Sequence, residues 1–174
     1  DCNDILLVEE ERTYKFIENM FKTLSECFKS RRIHIGMDEA HMLGKGNYYI
    51  KHGHKTSDEI IKAHLDKVCE LAKPYGYELM VWSDMFFRGK TNGDYYVENI
   101  DFTEEDVKNV PEKMSLVYWD YYNKPDVVNY MVKHHLKLTD KVIFAGCARN
   151  VRSFGTHLEK TIISTNDALE ECRK

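Results

Sequence analysis

Two adjacent acidic residues are the part of the sequence best suited to chemistry. Asp38 and Glu39 follow the apolar run Ile33–Met37, and His41 comes two positions after the pair. Carboxyl groups grouped in this way can transfer protons or hold a divalent cation beside a substrate. The simpler alternative is an acidic strand end that only caps the next helix.

The segment Asp38–His41 also spells Asp-Glu-Ala-His, an order typical of one class of nucleotide-hydrolysing helicase. In those proteins the acids hold magnesium and water beside ATP, which requires a phosphate-binding loop, G-x-x-x-x-G-K-[ST], earlier in the chain. Gly89–Thr91 matches the end of that pattern, but Asp84 stands where the first glycine should be, and the segment follows the acids. The sequence therefore argues against a nucleotide hydrolase.

The elements that must position the acids alternate between helix and strand. Apolar residues at helical spacing predict helices over residues 13–28, from 57 to a stop at Pro74, over 126–136 and over 161–172. Runs rich in β-formers predict strands over residues 32–37, 78–82, 115–119 and 141–146. A single helical turn is expected near residues 103–107. This alternation is typical of an α/β fold with a parallel sheet.

The connections between these elements are unequal. Those that lead from helix to strand are short, such as Lys29–Arg31 and Thr139–Asp140, whereas those that leave strands are long and rich in acidic and aromatic residues. In parallel α/β folds the carboxyl ends of the strands hold the active site. Four strands do not close a barrel, which needs about 250 residues. A doubly wound sheet fits the length of the chain.

The composition excludes several classes of partner. The 174 residues carry a net charge of −4, and no apolar run approaches the roughly 20 residues that cross a bilayer, so neither nucleic acid nor a membrane is expected. The five scattered cysteines and the pair His52 and His54 lack the spacing of a metal site, so no metal is expected. Residues 1–174 are interpreted as one domain. Asp1–Asp4 do not resemble a signal peptide, which favours the cytoplasm.

The stretch around the acids matches His-x-Gly-x-Asp-Glu, and the chain resembles glycoside hydrolase family 20, especially its smaller bacterial members. Other similar segments follow in consistent order: Lys15–Glu18, Met42–Gly44, Val81–Phe87, Tyr118–Tyr122 and Phe144–Gly146. The resemblance implies part of a (β/α)8 barrel, approximately its fourth to seventh βα units. It also implies an exo-β-N-acetylhexosaminidase that removes terminal β-linked GlcNAc or GalNAc from a glycan.

The adjacency of the acids bears on the mechanism. Neighbouring residues on a strand point to opposite faces, so their carboxyl groups cannot readily flank one bond at the separation of about 5–5.5 Å that an ordinary retaining pair requires. The resemblance implies instead that the acetamide of the substrate is the nucleophile, with retention and without a cofactor. Glu39 would be the general acid and then the base, and Asp38 would orient the acetamide.

The resemblance also assigns a sugar-binding role to two tryptophans and to one of two tyrosines. Trp82 and Trp119 would wall the acetamide pocket, and either Tyr121 or Tyr122 would donate a hydrogen bond to the acetamide carbonyl. Neither the spacing nor the resemblance decides between the two tyrosines. Tyr118 is expected to pack within the barrel wall.

The roles of the remaining polar residues stay open. Asp84 shares the strand parity of Trp82 and would either bind a sugar hydroxyl or cap the next turn. His41 would tune Glu39, bind the sugar or serve the structure. His34 is expected to make a structural hydrogen bond, and the pair His134 and His135 to lie on a solvated helix face.

One departure from the family supports a second hypothesis. Arg149, Asn150 and Val151 occupy a stretch where similar proteins tend to carry tryptophans that complete the sugar platform. A non-catalytic carbohydrate-binding homologue is therefore the alternative. The residues that bind the 3- and 4-hydroxyls in the family would lie before Asp1, so the isolated chain is expected to lack full activity. A half-barrel would expose strand edges, which favours self-association.

Overall fold

Helices and strands alternate along the chain in the computed structural model, which describes residues 5–148, 154–155 and 157–174. The helices are α1 (Glu11–Cys27), α2 (Asn47–His52), α3 (Ser57–Ala72), α4 (Asp84–Arg88), α5 (Glu104–Lys108), α6 (Pro125–Leu138) and α7 (Leu158–Cys172). The strands are β1 (Arg32–His34), β2 (Glu78–Trp82), β3 (Ser115–Trp119) and β4 (Val142–Ala145). The α/β class expected from the sequence is confirmed.

The described strands form one parallel sheet in the order β1-β2-β3-β4. Each strand pairs with its neighbour in sequence, through register pairs such as Ile33 with Leu79 and Val117 with Ile143. A doubly wound sheet reverses its strand order at a switch point, whereas a (β/α)8 barrel adds strands in one direction. The observed order is therefore that of a barrel segment, as the family resemblance implies.

Helix α3 shows how the sequence produces one layer of this fold. The Thr56 hydroxyl accepts a hydrogen bond from the backbone N–H of Glu59, and the Glu59 carboxyl group accepts one from the backbone N–H of Thr56, which forms a capping box. Ile61, Leu65 and Val68 then recur on one face and are buried. Burial of each such side chain contributes about 1.5–3 kcal/mol, so this face fixes the helix against the sheet and α1.

Helix α6 covers the other half of the sheet. Pro125 occupies its first turn, where a missing N–H costs nothing. Val128, Met131, His135 and Leu138 lie on its buried face. The expectation that His134 and His135 lie on a solvated face is wrong, because both are buried: the His135 ring packs against Tyr118 of β3, and His134 Nε2 lies 2.9 Å from Glu98 O.

Two short helices were not predicted from the sequence. Helices α2 and α4 lie in connections that leave strands β1 and β2, and each is too short to show a helical repeat. Their position matters because they shape the carboxyl end of the sheet. Within the described ranges, no helix combines the length and apolar character needed to cross a membrane.

Candidate active site

The two acids lie in a tight turn directly after β1. The ladder continues beyond the strand, since the Ile35 N–H donates to Met80 O at 2.8 Å and the Trp82 N–H donates to Gly36 O at 3.1 Å. The backbone then turns sharply, with a φ of 75° at Met37 and 49° at Glu39. Such left-handed non-glycine residues cost about 1–3 kcal/mol each and cluster at functional sites.

This turn corrects one expectation from the sequence. Strand β1 ends at His34 rather than near Met37, so Asp38 and Glu39 do not alternate across a strand. The left-handed turn, and not the pleat of a strand, therefore sets the directions of the two side chains. Both side chains are exposed at the carboxyl end of the sheet, where a substrate could reach them.

Asp84 supports the turn from the start of helix α4. Its Oδ2 accepts the backbone N–H of Glu39 at 2.9 Å, and its side chain is buried. Burial raises the pKa of Asp84, the Glu39 N–H opposes that rise, and the charge of Asp38 adds to it. Because β2 ends at Trp82, Asp84 begins helix α4 and does not continue the strand, so the expected shared parity with Trp82 is wrong.

The carboxyl group of Glu39 is held by a phenol that sequence reasoning missed. The Tyr95 hydroxyl donates to Glu39 Oε1 at 3.0 Å. Arg88 Nη1 donates to the Tyr95 hydroxyl at 2.8 Å and also contacts His41 Nδ1. Desolvation and the hydrogen bond to Glu39 raise the pKa of Tyr95 to about 12. The loop is visibly rich in tyrosine, but no spacing rule shows which of them reaches the acid.

His41 contacts Arg88 of the same network. It lies two positions beyond Glu39 and its ring meets the guanidinium of Arg88 rather than the carboxyl group of Glu39. A guanidinium can only donate, so His41 Nδ1 must accept and its proton must lie on Nε2. The residue itself is exposed.

Trp119 is the centre of an aromatic wall beside the acids. Its ring stacks on Tyr121 with centroids 5.5 Å apart, and it lies 5.3 Å from the ring of Tyr95 and 5.9 Å from that of Tyr96. The Tyr96 hydroxyl also donates to Trp119 O at 3.2 Å. Flat, partly exposed rings of this kind can cover the apolar face of a sugar or an acetamide methyl group.

Tyr121 and Tyr122 differ in their surroundings. The pKa of Tyr121 is raised mainly by burial and further by the charges of Cys147, Asp38 and Glu39, among others, so its phenol lies within the field of the acids. Tyr122 is exposed, and its ring lies 6.0 Å from that of Tyr96. Of the two candidates left open by the sequence, Tyr121 is the one whose ring stacks on Trp119.

Trp82 ends β2 and lies against the strand that leads to the acids. Its ring is 4.4 Å from the ring of His34, whose Nδ1 accepts the backbone N–H of Gly36 at 3.0 Å. Burial lowers the pKa of His34, and the charge of Asp38 opposes that change, so Asp38 lies near the same pair. The structural hydrogen bond expected for His34 is confirmed.

Asp120 is a further residue that sequence reasoning missed. This buried carboxylate follows β3 and accepts hydrogen bonds from the Tyr118 hydroxyl at 2.6 Å, from the backbone N–H of Tyr122 and from both the backbone and side chain of Asn123. It thereby fixes the loop that presents Tyr121. Tyr118 itself is buried within the wall, as expected.

Among the described residues, no group of three or more histidine, cysteine, aspartate and glutamate residues is arranged to hold a metal ion. The departure at Arg149, Asn150 and Val151 lies outside the described residues, so the hypothesis that depends on it stays a prediction.

Comparisons with known proteins bear on the family to which this chain belongs. The sequence model described as glycosyl hydrolase family 20, catalytic domain, matches residues 1–148. A solved structure, the GH20 β-N-acetylhexosaminidase from Streptomyces coelicolor A3(2), is similar with 17% identity and a TM-score of 0.47. That match covers 83% of this chain but 23% of the Streptomyces chain. No curated protein matches the sequence. On the match to most of its length, this chain belongs to glycosyl hydrolase family 20.

Proposed function

We propose that the protein is an exo-β-N-acetylhexosaminidase that hydrolyses terminal β-linked GlcNAc or GalNAc by a retaining, substrate-assisted mechanism. Membership of the family supports glycoside hydrolysis in general. The observation that carries the finer proposal is the turn at Asp38 and Glu39, where the Glu39 carboxyl group accepts a hydrogen bond from Tyr95, whose ring lies beside Trp119. Family membership also speaks against the nucleotide-hydrolase alternative.

Glu39 would act as general acid and then as general base. In the first step it gives its proton to the glycosidic oxygen while the bond from that oxygen to the anomeric carbon breaks. In the second step its carboxylate takes a proton from water as the water attacks the same carbon. The hydrogen bond from Tyr95 and the backbone contact with Asp84 support this role, because they hold the group in one place.

The substrate would supply the nucleophile. Its acetamide carbonyl oxygen attacks the anomeric carbon as the leaving group departs, which forms a cyclic oxazolinium ion, and water then reopens that ring. Asp38 would accept the acetamide N–H and stabilise the positive charge that develops. Trp82 and Trp119 would enclose the acetamide methyl group, and Tyr121 would donate to the carbonyl oxygen. Two displacements at one carbon give retention.

The alternative is a homologue that binds carbohydrate without hydrolysing it. It is favoured by Arg149, Asn150 and Val151, which stand where the sugar platform is expected to carry tryptophans. This alternative predicts saturable binding of N-acetylglucosamine with no turnover of any β-linked N-acetylhexosaminide.

The stereochemistry of the product tests the proposal. We expect proton NMR of the intact protein acting on an aryl β-N-acetylglucosaminide to show the β-anomer of GlcNAc first, followed by slow mutarotation. Initial release of the α-anomer would contradict a retaining mechanism. Binding of the substrate without release of product would contradict the proposal and favour the carbohydrate-binding homologue.

A further inference from the structure

The loop between α4 and α5 returns one side chain to the carboxyl end of the sheet. It begins with a turn in which Asn92 has a φ of 55° and Gly93 a φ of 104°, and the Gly93 N–H donates to Arg88 O at 3.2 Å. The Thr91 hydroxyl closes the same turn by donating to Asp94 O at 2.6 Å. This geometry brings Tyr95 back beside the helix from which the loop departs.

The arginine at the end of α4 fixes the orientation of the returning phenol. The guanidinium carbon of Arg88 lies 4.8 Å from the centre of the Tyr95 ring, within the range of a cation–π contact. The same guanidinium donates to the phenol oxygen at 2.8 Å. Arg88 is partly buried, so it makes these contacts while partly withdrawn from water.

The direction of each hydrogen bond follows from the chemistry of the groups. A guanidinium has no acceptor, so Arg88 must donate to the Tyr95 oxygen. The one proton of Tyr95 is then left for Glu39 Oε1, at 3.0 Å, and an ionised carboxyl group can only accept. Whenever Glu39 is ionised, both hydrogen bonds therefore run in one direction, from Arg88 to Tyr95 and from Tyr95 to Glu39.

We propose that Tyr95, oriented by Arg88, is a positioning residue for Glu39. It engages one carboxyl oxygen, Oε1, and so leaves Oε2 to exchange the proton with the leaving group and then with water. The inference rests on the proposed function, in which Glu39 is the acid and base. It adds Arg88, at the end of α4, and Tyr95, in the loop that follows, to the residues that serve the reaction.

The role of the Tyr95 hydroxyl must be separated from the packing of the Tyr95 ring. The ring of Tyr95 lies against Trp119, so its loss would disturb the aromatic wall whatever the hydroxyl does. Tyr95→Phe keeps the ring and removes only the hydroxyl. Tyr75→Phe is the matched control, because Tyr75 lies before β2 at the other end of the sheet and packs against Phe21 and Tyr77.

The first readout is the dependence of rate on the leaving group in the intact protein. A poor leaving group needs the proton from Glu39. An example is the 4-hydroxyl of the second sugar in N,N′-diacetylchitobiose, called chitobiose below. The good leaving group 2,4-dinitrophenolate does not need that proton. We expect Tyr95→Phe to lower kcat/KM about tenfold or more for chitobiose and about twofold or less for the dinitrophenyl substrate. Equal losses on both substrates would overturn the proposal, as would a Tyr75→Phe control with the same selective loss.

The second readout does not depend on turnover. Carbon NMR of the intact protein labelled with [ζ-13C]tyrosine can follow the Tyr95 phenol, assigned by its absence in Tyr95→Phe. The Glu39 carboxylate is one cause of the raised pKa of Tyr95, so Glu39→Gln is expected to let this phenol ionise at lower pH. An unchanged titration would overturn the inference. A lowered titration in a protein without hexosaminidase activity would leave the Tyr95 contact standing and remove the proposed function.

Discussion

Glu39 is held at two points by residues from outside its own turn. Asp84 accepts its backbone N–H, and Tyr95 donates to its carboxyl group. The backbone of Glu39 is left-handed, a conformation that persists only where the surroundings compensate its cost. We infer that the Asp84 contact provides part of that compensation, and two predictions follow at the scale of single residues.

The first concerns Asp84. Asp84→Ala leaves the Glu39 N–H without its partner, at a cost of about 1–3 kcal/mol, and should lower both the thermal midpoint and kcat. Asp84→Asn keeps an oxygen that can accept this N–H, so we expect it to retain the thermal midpoint and most of the activity. Scanning calorimetry and steady-state kinetics on the two variants check this. Equal behaviour of the alanine and asparagine variants would show that the Glu39 N–H does not depend on Asp84.

The second separates the two acids. Glu39→Gln cannot donate its proton, so turnover of substrates with poor leaving groups should fall by about 10²-fold or more. Asp38→Asn should instead slow every N-acetyl substrate to a similar degree, because the acetamide is used whatever group departs. Rates on a series of aryl β-N-acetylglucosaminides, plotted against the acidity of the leaving phenol, distinguish the variants. Turnover of chitobiose by Glu39→Gln at the wild-type rate would remove Glu39 from its role.

At the scale of elements, the long helices were predictable and the turns were not. Apolar spacing located α3 and α6, because a continuous buried face repeats over several turns of helix. Helices α2 and α4 are too short to show a repeat. Motifs in the sequence predicted the acids, the two tryptophans and the pair Tyr121 and Tyr122. Arg88 and Tyr95 were not predicted, because a short helix and the turn after it bring them to Glu39, and neither has a sequence repeat.

His135, which the sequence analysis expected to be solvated, makes the stability of the fold depend on pH because it is buried. This histidine is fully buried on α6, where its Nε2 lies 2.7 Å from Ser83 Oγ and its ring packs between Phe87 and Tyr118. Desolvation lowers the pKa of His135 to about 4, against about 6.5 in an unfolded chain. Between pH 4 and pH 6.5 the unfolded state binds more protons than the folded state. The contribution of His135 to the free energy of unfolding is therefore complete above about pH 6.5 and is lost as the pH falls toward 4.

The resulting prediction is a change in the pH dependence of unfolding. From pH 7 to pH 5 the titration of His135 should remove about 2 kcal/mol from the free energy of unfolding. A His135→Gln variant does not titrate, so urea denaturation should show a shallower loss across that interval, whatever its stability at pH 7. His54→Gln, at an exposed position, is the control and should keep the wild-type slope. The same slope in His135→Gln would show that this histidine does not contribute.

At the scale of the whole molecule, the sheet has two open edges. Within the described residues, β1 and β4 each pair with one strand only. A cavity of about 490 Å³ opens beside β1 and is lined largely by apolar side chains that include Ile33 and Val68, with Phe16 and Met20 at 54% and 45% exposure. Exposed edges and apolar surface of this kind favour association with another chain.

We therefore expect the 174-residue chain, expressed by itself, to self-associate. Light scattering during size-exclusion chromatography should give a mass above that of one chain, and the double substitution Phe16→Ser with Met20→Ser should reduce it, because it removes apolar surface at the cavity. A matched change at the exposed Lys15 should have no effect. A monomer at high concentration would contradict this prediction.

The central claim is that the acetamide of the substrate is the nucleophile and that Asp38 and Glu39 serve it. The most direct measurement compares hydrolysis of an aryl β-N-acetylglucosaminide by the intact protein with hydrolysis of the matching β-glucoside, which lacks the acetamide. We expect a large preference for the N-acetyl substrate, lost in Asp38→Asn. Equal rates on the two substrates would contradict the substrate-assisted mechanism.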